Sequence, residues 1–125
     1  MAITEVEKAI PLLQSCLTPD LLKTKYKNIE NRHQTTGHCY IASEAIYHLF
    51  GGKNVWKAYC GRDESNSTHW WLVDKEQGFI IDATREQYDF LSINPPYNKG
   101  KPCGFLTQQP SKRCLILMER YFKLK

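Results

Sequence analysis

The chain has 125 residues, 42% hydrophobic and 24% charged, with a formal net charge of +4 at pH 7. That length and composition fit one globular domain, residues 1–125, with a buried core, and so small a basic excess does not favour nucleic acid as the partner. No apolar run is long enough to span a bilayer, and Met1-Ala2-Ile3-Thr4-Glu5-Val6-Glu7-Lys8 lacks the basic-then-apolar layout of a secretory leader, so a cytosolic protein without membrane contact is expected. Thr4 to Cys16 carries Val6, Ile10, Leu13 and Cys16 near helical spacing, with Pro11 as a point where the helix kinks or splits. A second helix is expected from Thr18-Pro19-Asp20 through Leu21, Leu22 and Tyr26, because a capping residue precedes a proline suited to the first helical position. Asn28 to Thr36 is polar and reads as a loop.

A helix follows from about Gly37 to Phe50, with Ala42, Ala45, Ile46 and Leu49 inward, and Gly51-Gly52 ends it. Val55 to Cys60 reads as a strand and Gly61 to Thr68 as a polar loop. His69 to Val73 and Phe79 to Asp82 read as two strands of a hairpin, turned by Asp74 to Gly78. Asp89 to Gly104 holds Pro95-Pro96, Gly100 and Pro102 and is expected to be irregular. A closing helix begins near Thr107 or Gln109, with Leu115, Met118 and Phe122 on one face. Helices first, then an antiparallel sheet, is an α+β order. The five cysteines, at 16, 39, 60, 103 and 114, form no CxxC pair and no paired framework, so free thiols are expected.

Three residues stand out as chemistry. Cys39 opens the apolar helix, His69 opens a strand and Asp82 ends the next, which is the order of a thiol nucleophile, its base and an orienting acid. With Thr36 as the cap, Cys39 is the third helical residue, where unpaired backbone N–H groups and the helix dipole favour a thiolate and could hold an oxyanion. A hairpin loop of Asp74 to Gln77, or a two-residue loop at Lys75-Glu76, places Val73 opposite Gly78, Trp71 opposite Ile80 and His69 opposite Asp82. Directly opposed side chains have Cβ atoms about 5 Å apart, close enough for a carboxylate to fix the imidazole. Gln34 is a candidate oxyanion donor against a solvated loop residue. His38 is a candidate substrate contact against an exposed first-turn side chain. Of Trp70 and Trp71, which alternate, one packs inward and the other, with Trp70 as the candidate, walls a cleft. Residues 85 to 105, with Tyr88, Phe90, Tyr97 and Phe105, are the remaining candidate substrate wall.

Gly37-His38-Cys39-Tyr40, Gly51-Gly52, His69-Trp70-Trp71 and Asp82-Ala83-Thr84 together resemble the transglutaminase-like branch of the papain-like cysteine protease superfamily. The resemblance covers about residues 34 to 84, and the ensemble is also similar to small phage-encoded proteins. It implies a papain-like fold with the nucleophile helix packed on an antiparallel sheet. It also implies thioester acyl chemistry on an amide or ester of a protein or peptide-like substrate, as a protease, deamidase or transglutaminase-like enzyme, with no cofactor. Two other readings stay open. One is a zinc site of Cys39, His69 and a third group such as Asp82 or Cys60, which lacks the usual paired ligand spacing. The other is an inactive papain-like protein that binds and blocks a partner.

Overall fold

The structure, a computed structural model, describes residues 3–22, 38–105 and 107–125. The first helix, α1, spans Ile3–Ser15 and runs straight through Pro11. Pro11 and Glu7, one turn earlier, both lie on the exposed side, so the missing N–H falls where water can serve the freed carbonyl. The opposite side buries Val6, Ala9 and Leu13. Of the expected second helix, the described part is a 3-10 turn, Pro19–Leu21. Its continuation through Tyr26, the polar loop, Gln34 and the Thr36 cap all lie outside the described residues.

Helix α2 spans Cys39–Leu49, so Cys39 is its first residue rather than its third, and His38 occupies the cap without a side-chain bond to the helix. The helix ends at Gly51 and Gly52, which adopt φ of 117° and 62°, a left-handed backbone that a glycine takes without steric cost. The sheet has four antiparallel strands in the order β3-β2-β1-β4: β1 Trp56–Arg62, β2 Thr68–Asp74, β3 Ile80–Ile81 and β4 Lys101–Pro102. Helix α3, Glu86–Leu91, and helix α4, Lys112–Leu124, complete the elements with short 3-10 turns at Gly52–Asn54 and Tyr97–Lys99. The α+β class expected from the chain is therefore present. Trp56, Ala58 and Leu72 on one sheet face pack with Ile41, Ala42, Ala45 and Ile46 of α2, and α1 and α4 close the other side of that helix.

Three expectations need correction. The buried face of α4 is Cys114, Leu117 and Tyr121, while Leu115 and Phe122 are 52% and 55% exposed. Both sets have the same helical spacing, and the cap chooses between them: Ser111 caps the helix, and Glu44 from α2 accepts its N–H and its hydroxyl, each at 2.7 Å. That turns Cys114 toward the core. The segment 89–104 is not wholly irregular, because β4 pairs with β1 through Tyr59 with Pro102 and Cys60 with Lys101. Finally, Cys60 and Cys103 are joined in a disulfide, leaving Cys16, Cys39 and Cys114 free. The β4 pairing brings these two together, since Cys103 N–H bonds the Ala58 carbonyl and its side chain falls diagonally opposite Cys60. Proline and glycine hid that short strand from a periodicity reading.

Two consequences are measurable. Glu44 is fully buried, so Glu44→Ala strands two donors at the start of α4 and is expected to cost about 3 kcal/mol in urea unfolding. The disulfide closes a loop of sequence separation 43, and its reduction is expected to lower stability by about 3–4 kcal/mol, read from unfolding with and without a phosphine reductant.

Candidate functional site

The hairpin carries the site. Its register is Leu72 opposite Ile81 and Val73 opposite Ile80. Continued by one residue, this sets Asp82 opposite Trp71, not opposite His69, so the expected pairing is off by two. Asp74 explains the slip. Its side chain accepts the N–H groups of Gln77 and Phe79, its backbone pairs with Phe79, and Gly78 closes the turn at a φ of 76°. The loop is therefore Lys75 to Gly78, with Asp74 as the last strand residue. A shift of two residues preserves which face each side chain takes. His69 and Asp82 remain on one face as diagonal neighbours and meet there.

His69 Nε2 lies 2.6 Å from Asp82 Oδ2, with the two side chains 1% and 3% exposed. The other oxygen, Oδ1, accepts the Thr84 N–H at 3.1 Å and the Thr84 hydroxyl at 3.3 Å. Asp82 thus both braces its own turn and receives the imidazole. Cys39, at the first turn of α2, places its thiol 3.8 Å from the carbonyl of Thr68, the residue before His69, and near enough to the imidazole to raise it. With Nε2 committed to Asp82, Nδ1 is the remaining ring nitrogen, and the Gln87 side-chain nitrogen lies 3.5 Å from it.

The electrostatics follow. Burial alone pulls the His69 imidazolium down, but hydrogen bonds to Asp82 and to Cys39, and the charge of Asp82, outweigh it and raise His69 from its ordinary 6.5 to about 9. The ring stacks on Trp71, with centroids 5.8 Å apart, and meets the edge of Tyr88 at 4.7 Å. Tyr88 is held from below, donating its hydroxyl to Asp63 at 2.7 Å. Burial pushes the Asp63 carboxyl up, yet donors from Ser65, Tyr88 and Ser67 prevail and hold it below its usual range. Burial, reinforced by Asp63, pushes the Tyr88 phenol up, so it stays a donor.

The other expected site residues divide. Gln34 lies outside the described residues. His38 is not an exposed first-turn side chain: it is 2% exposed, and its Nε2 bonds the Thr18 carbonyl at 3.1 Å. That bond anchors the entry of α2 on the loop after α1. Trp71 is the buried tryptophan. Trp70, half-buried, stacks on Phe105 and receives the edge of Tyr40, an aromatic cluster built from the sequence neighbours of Cys39 and His69, with Trp70 on the sheet face opposite His69. Of the expected substrate wall, Tyr88 is buried beneath the histidine instead.

Sequence reasoning gave no role to Gln87 or Asp63, placed Tyr97 only in the candidate substrate wall and named Thr84 only within the family motif. Gln87, 8% exposed, donates to the Thr84 carbonyl at 3.0 Å and brings the same nitrogen to 3.5 Å from His69 Nδ1. Tyr97 donates its hydroxyl to Asp82 Oδ2 at 2.7 Å. Neither had a signal in the chain: α3 is a six-residue helix and Tyr97 follows two prolines. Among the described residues, no three His, Cys, Asp or Glu side chains are gathered as metal ligands, and Cys60 is taken by Cys103. No helix among the described residues is long and apolar enough to cross a membrane. No protein-family model matches the chain, and no curated protein or solved structure matches it.

A histidine raised by folding stabilises fully below its unfolded value, and that contribution is lost as pH rises through the folded one. The part of stability that depends on His69 is therefore complete below 6.5 and fades as pH passes about 9. Asp82→Asn removes the partner that raises it. Urea unfolding across that window is expected to show a wild-type decline that Asp82→Asn lacks.

Proposed function

We propose that this protein is a cysteine-nucleophile acyl-transfer enzyme acting on an amide or ester bond of a protein or peptide-like substrate. Cys39 is the nucleophile, His69 its base and acid, and Asp82 the group that orients His69. The observation that supports this reading is the buried His69–Asp82 pair, with a helix-opening cysteine whose thiol lies against the residue before His69. A nucleophile helix packed on an antiparallel sheet, in this chain order, supports a papain-like fold of the transglutaminase-like branch.

The Cys39 thiol gives its proton to His69 Nδ1, and the sulfur forms a bond to the substrate carbonyl carbon. The carbonyl oxygen takes up the electron pair, opposite the first backbone N–H groups of α2. As the tetrahedral centre collapses, the bond from carbon to the leaving nitrogen or oxygen breaks, and His69 returns the proton to that group. A thioester on Cys39 remains. Water or an amine, deprotonated by His69, then attacks the thioester, and the sulfur leaves. Asp82 keeps Nε2 protonated throughout and offsets the positive charge of the ring. The Trp70, Phe105 and Tyr40 cluster is an apolar wall for the substrate side chain nearest the scissile bond.

A cytosolic address is part of the same reading. The Cys60–Cys103 bridge weighs against that address, since cytosolic reductants keep most such pairs open. The zinc reading loses Cys60 for the same reason.

The test is the rate of Cys39 alkylation by iodoacetamide at neutral pH, with peptide mapping. An imidazolium-paired thiol is expected to react about tenfold faster in the wild type than in His69→Ala. Equal rates would remove the proposed pair. In an amide-substrate screen, Cys39→Ala is expected to be folded and inactive, and normal turnover by that variant would sink the assignment.

A further inference from the structure

Outside the three residues already assigned, the most constrained polar contact in the site belongs to Tyr97. Its hydroxyl donates to Asp82 Oδ2, the same oxygen that receives His69 Nε2. The carboxylate is therefore fully committed: Thr84 takes Oδ1, and the imidazole and the phenol share Oδ2. The Tyr97 ring meets Trp71 at 5.2 Å, and Trp71 stacks on His69. Arg85 lies over the outer face of the same ring, 5.9 Å from its centroid.

Considerable structure is spent on keeping Tyr97 there. It opens the 3-10 turn Tyr97–Lys99, which is closed by the Lys99 N–H to the Pro96 carbonyl. Gly100 then lies flat on the Trp71 indole, so closely that a Cβ would stand 2.3 Å from the ring. Strand β4 and the Cys60–Cys103 disulfide clamp the far end of the segment to β1. A two-residue strand, a glycine with no room for a side chain and a covalent bridge thus converge on the stretch that delivers one hydroxyl.

We propose that Tyr97 is a positioning residue of this site, which holds the Asp82 carboxylate toward His69 and divides the charge of Oδ2 between the phenol and the imidazole. The proposal rests on the His69–Asp82 pair of the acyl-transfer reading and deepens it. A carboxylate whose only strong donor was the imidazole would hold the proton on the ring too firmly. The imidazolium would then be a poorer acid for the leaving group. The phenolic O–H points its positive end at Oδ2 and so tempers that pull. Burial, with the charge of Asp82, pushes the phenol up, so it remains a donor and never competes as a base.

The experiment titrates the His69 ring by nitrogen NMR in the wild type, Tyr97→Phe and Tyr88→Phe, with a melting curve for each. Tyr97→Phe keeps the ring and removes the donor. It is expected to stay folded, with the His69 midpoint moved upward by roughly half a unit or more. Tyr88→Phe, whose hydroxyl serves Asp63, is expected to leave the midpoint in place. A midpoint unmoved or lowered in Tyr97→Phe, or moved equally in both variants, overturns the proposal. A wild-type midpoint near the ordinary 6.5 would instead remove the acyl-transfer reading beneath it. A raised wild-type midpoint that ignores Tyr97→Phe removes only the role of Tyr97.

Discussion

A charge pair taken out of water has to be answered on every side, and the His69–Asp82 contact imposes that requirement on the rest of the structure. Two side chains this deeply buried would not stay ionised on mutual attraction alone, because desolvation costs each of them several kcal/mol. The surrounding residues supply what water would have given. Thr84 and Tyr97 complete the carboxylate. Trp71 and Tyr88 enclose the ring, and Asp63 fixes Tyr88. These residues come from the loop after β1, from β2, the turn after β3, α3 and the 3-10 turn before β4. Thr84, Tyr88 and Tyr97, all after the hairpin, thus converge on one hydrogen bond.

A second buried carboxyl group does for the helices what Asp82 does for the sheet. Glu44 sits on the inner side of α2, one turn beyond Cys39, and binds Ser111 at the start of α4. A carboxyl at a helix N-terminus satisfies free N–H groups and meets the positive end of the helix dipole. Its effect reaches the site mechanically. Glu44 fixes α2 from the C-terminal helix, and His38 fixes it from the Thr18 carbonyl. Cys39, between them, has little freedom in the direction its thiol takes.

Much of this was legible in the chain and some was not, for identifiable reasons. The Cys39 helix and the hairpin could be read because each has a long apolar pattern and a strong stop signal in Gly51-Gly52 or Gly78. His69 and Asp82 were assigned to one face from an incorrect register, and the assignment survived because strand periodicity is two and the error was two. The α4 face was misread because Leu and Phe outrank Cys and Tyr on any apolar scale, while a buried glutamate from another helix decided the rotation. Tyr97, Gln87 and the disulfide were hidden because each depends on where a proline-rich segment returns to the sheet. That is a long-range fact with no local pattern.

Both outer strands of the sheet are two residues long, and one of them ends in proline. Strand edges are where one chain can recruit the backbone of another, and short, proline-bearing edges offer too few free amides to template that growth. The segment that carries Tyr97 thus does double duty. As it returns to seat a hydroxyl on the site, it also covers the middle of β1 at Ala58 to Cys60, so that stretch of the central strand is not presented to a neighbouring molecule.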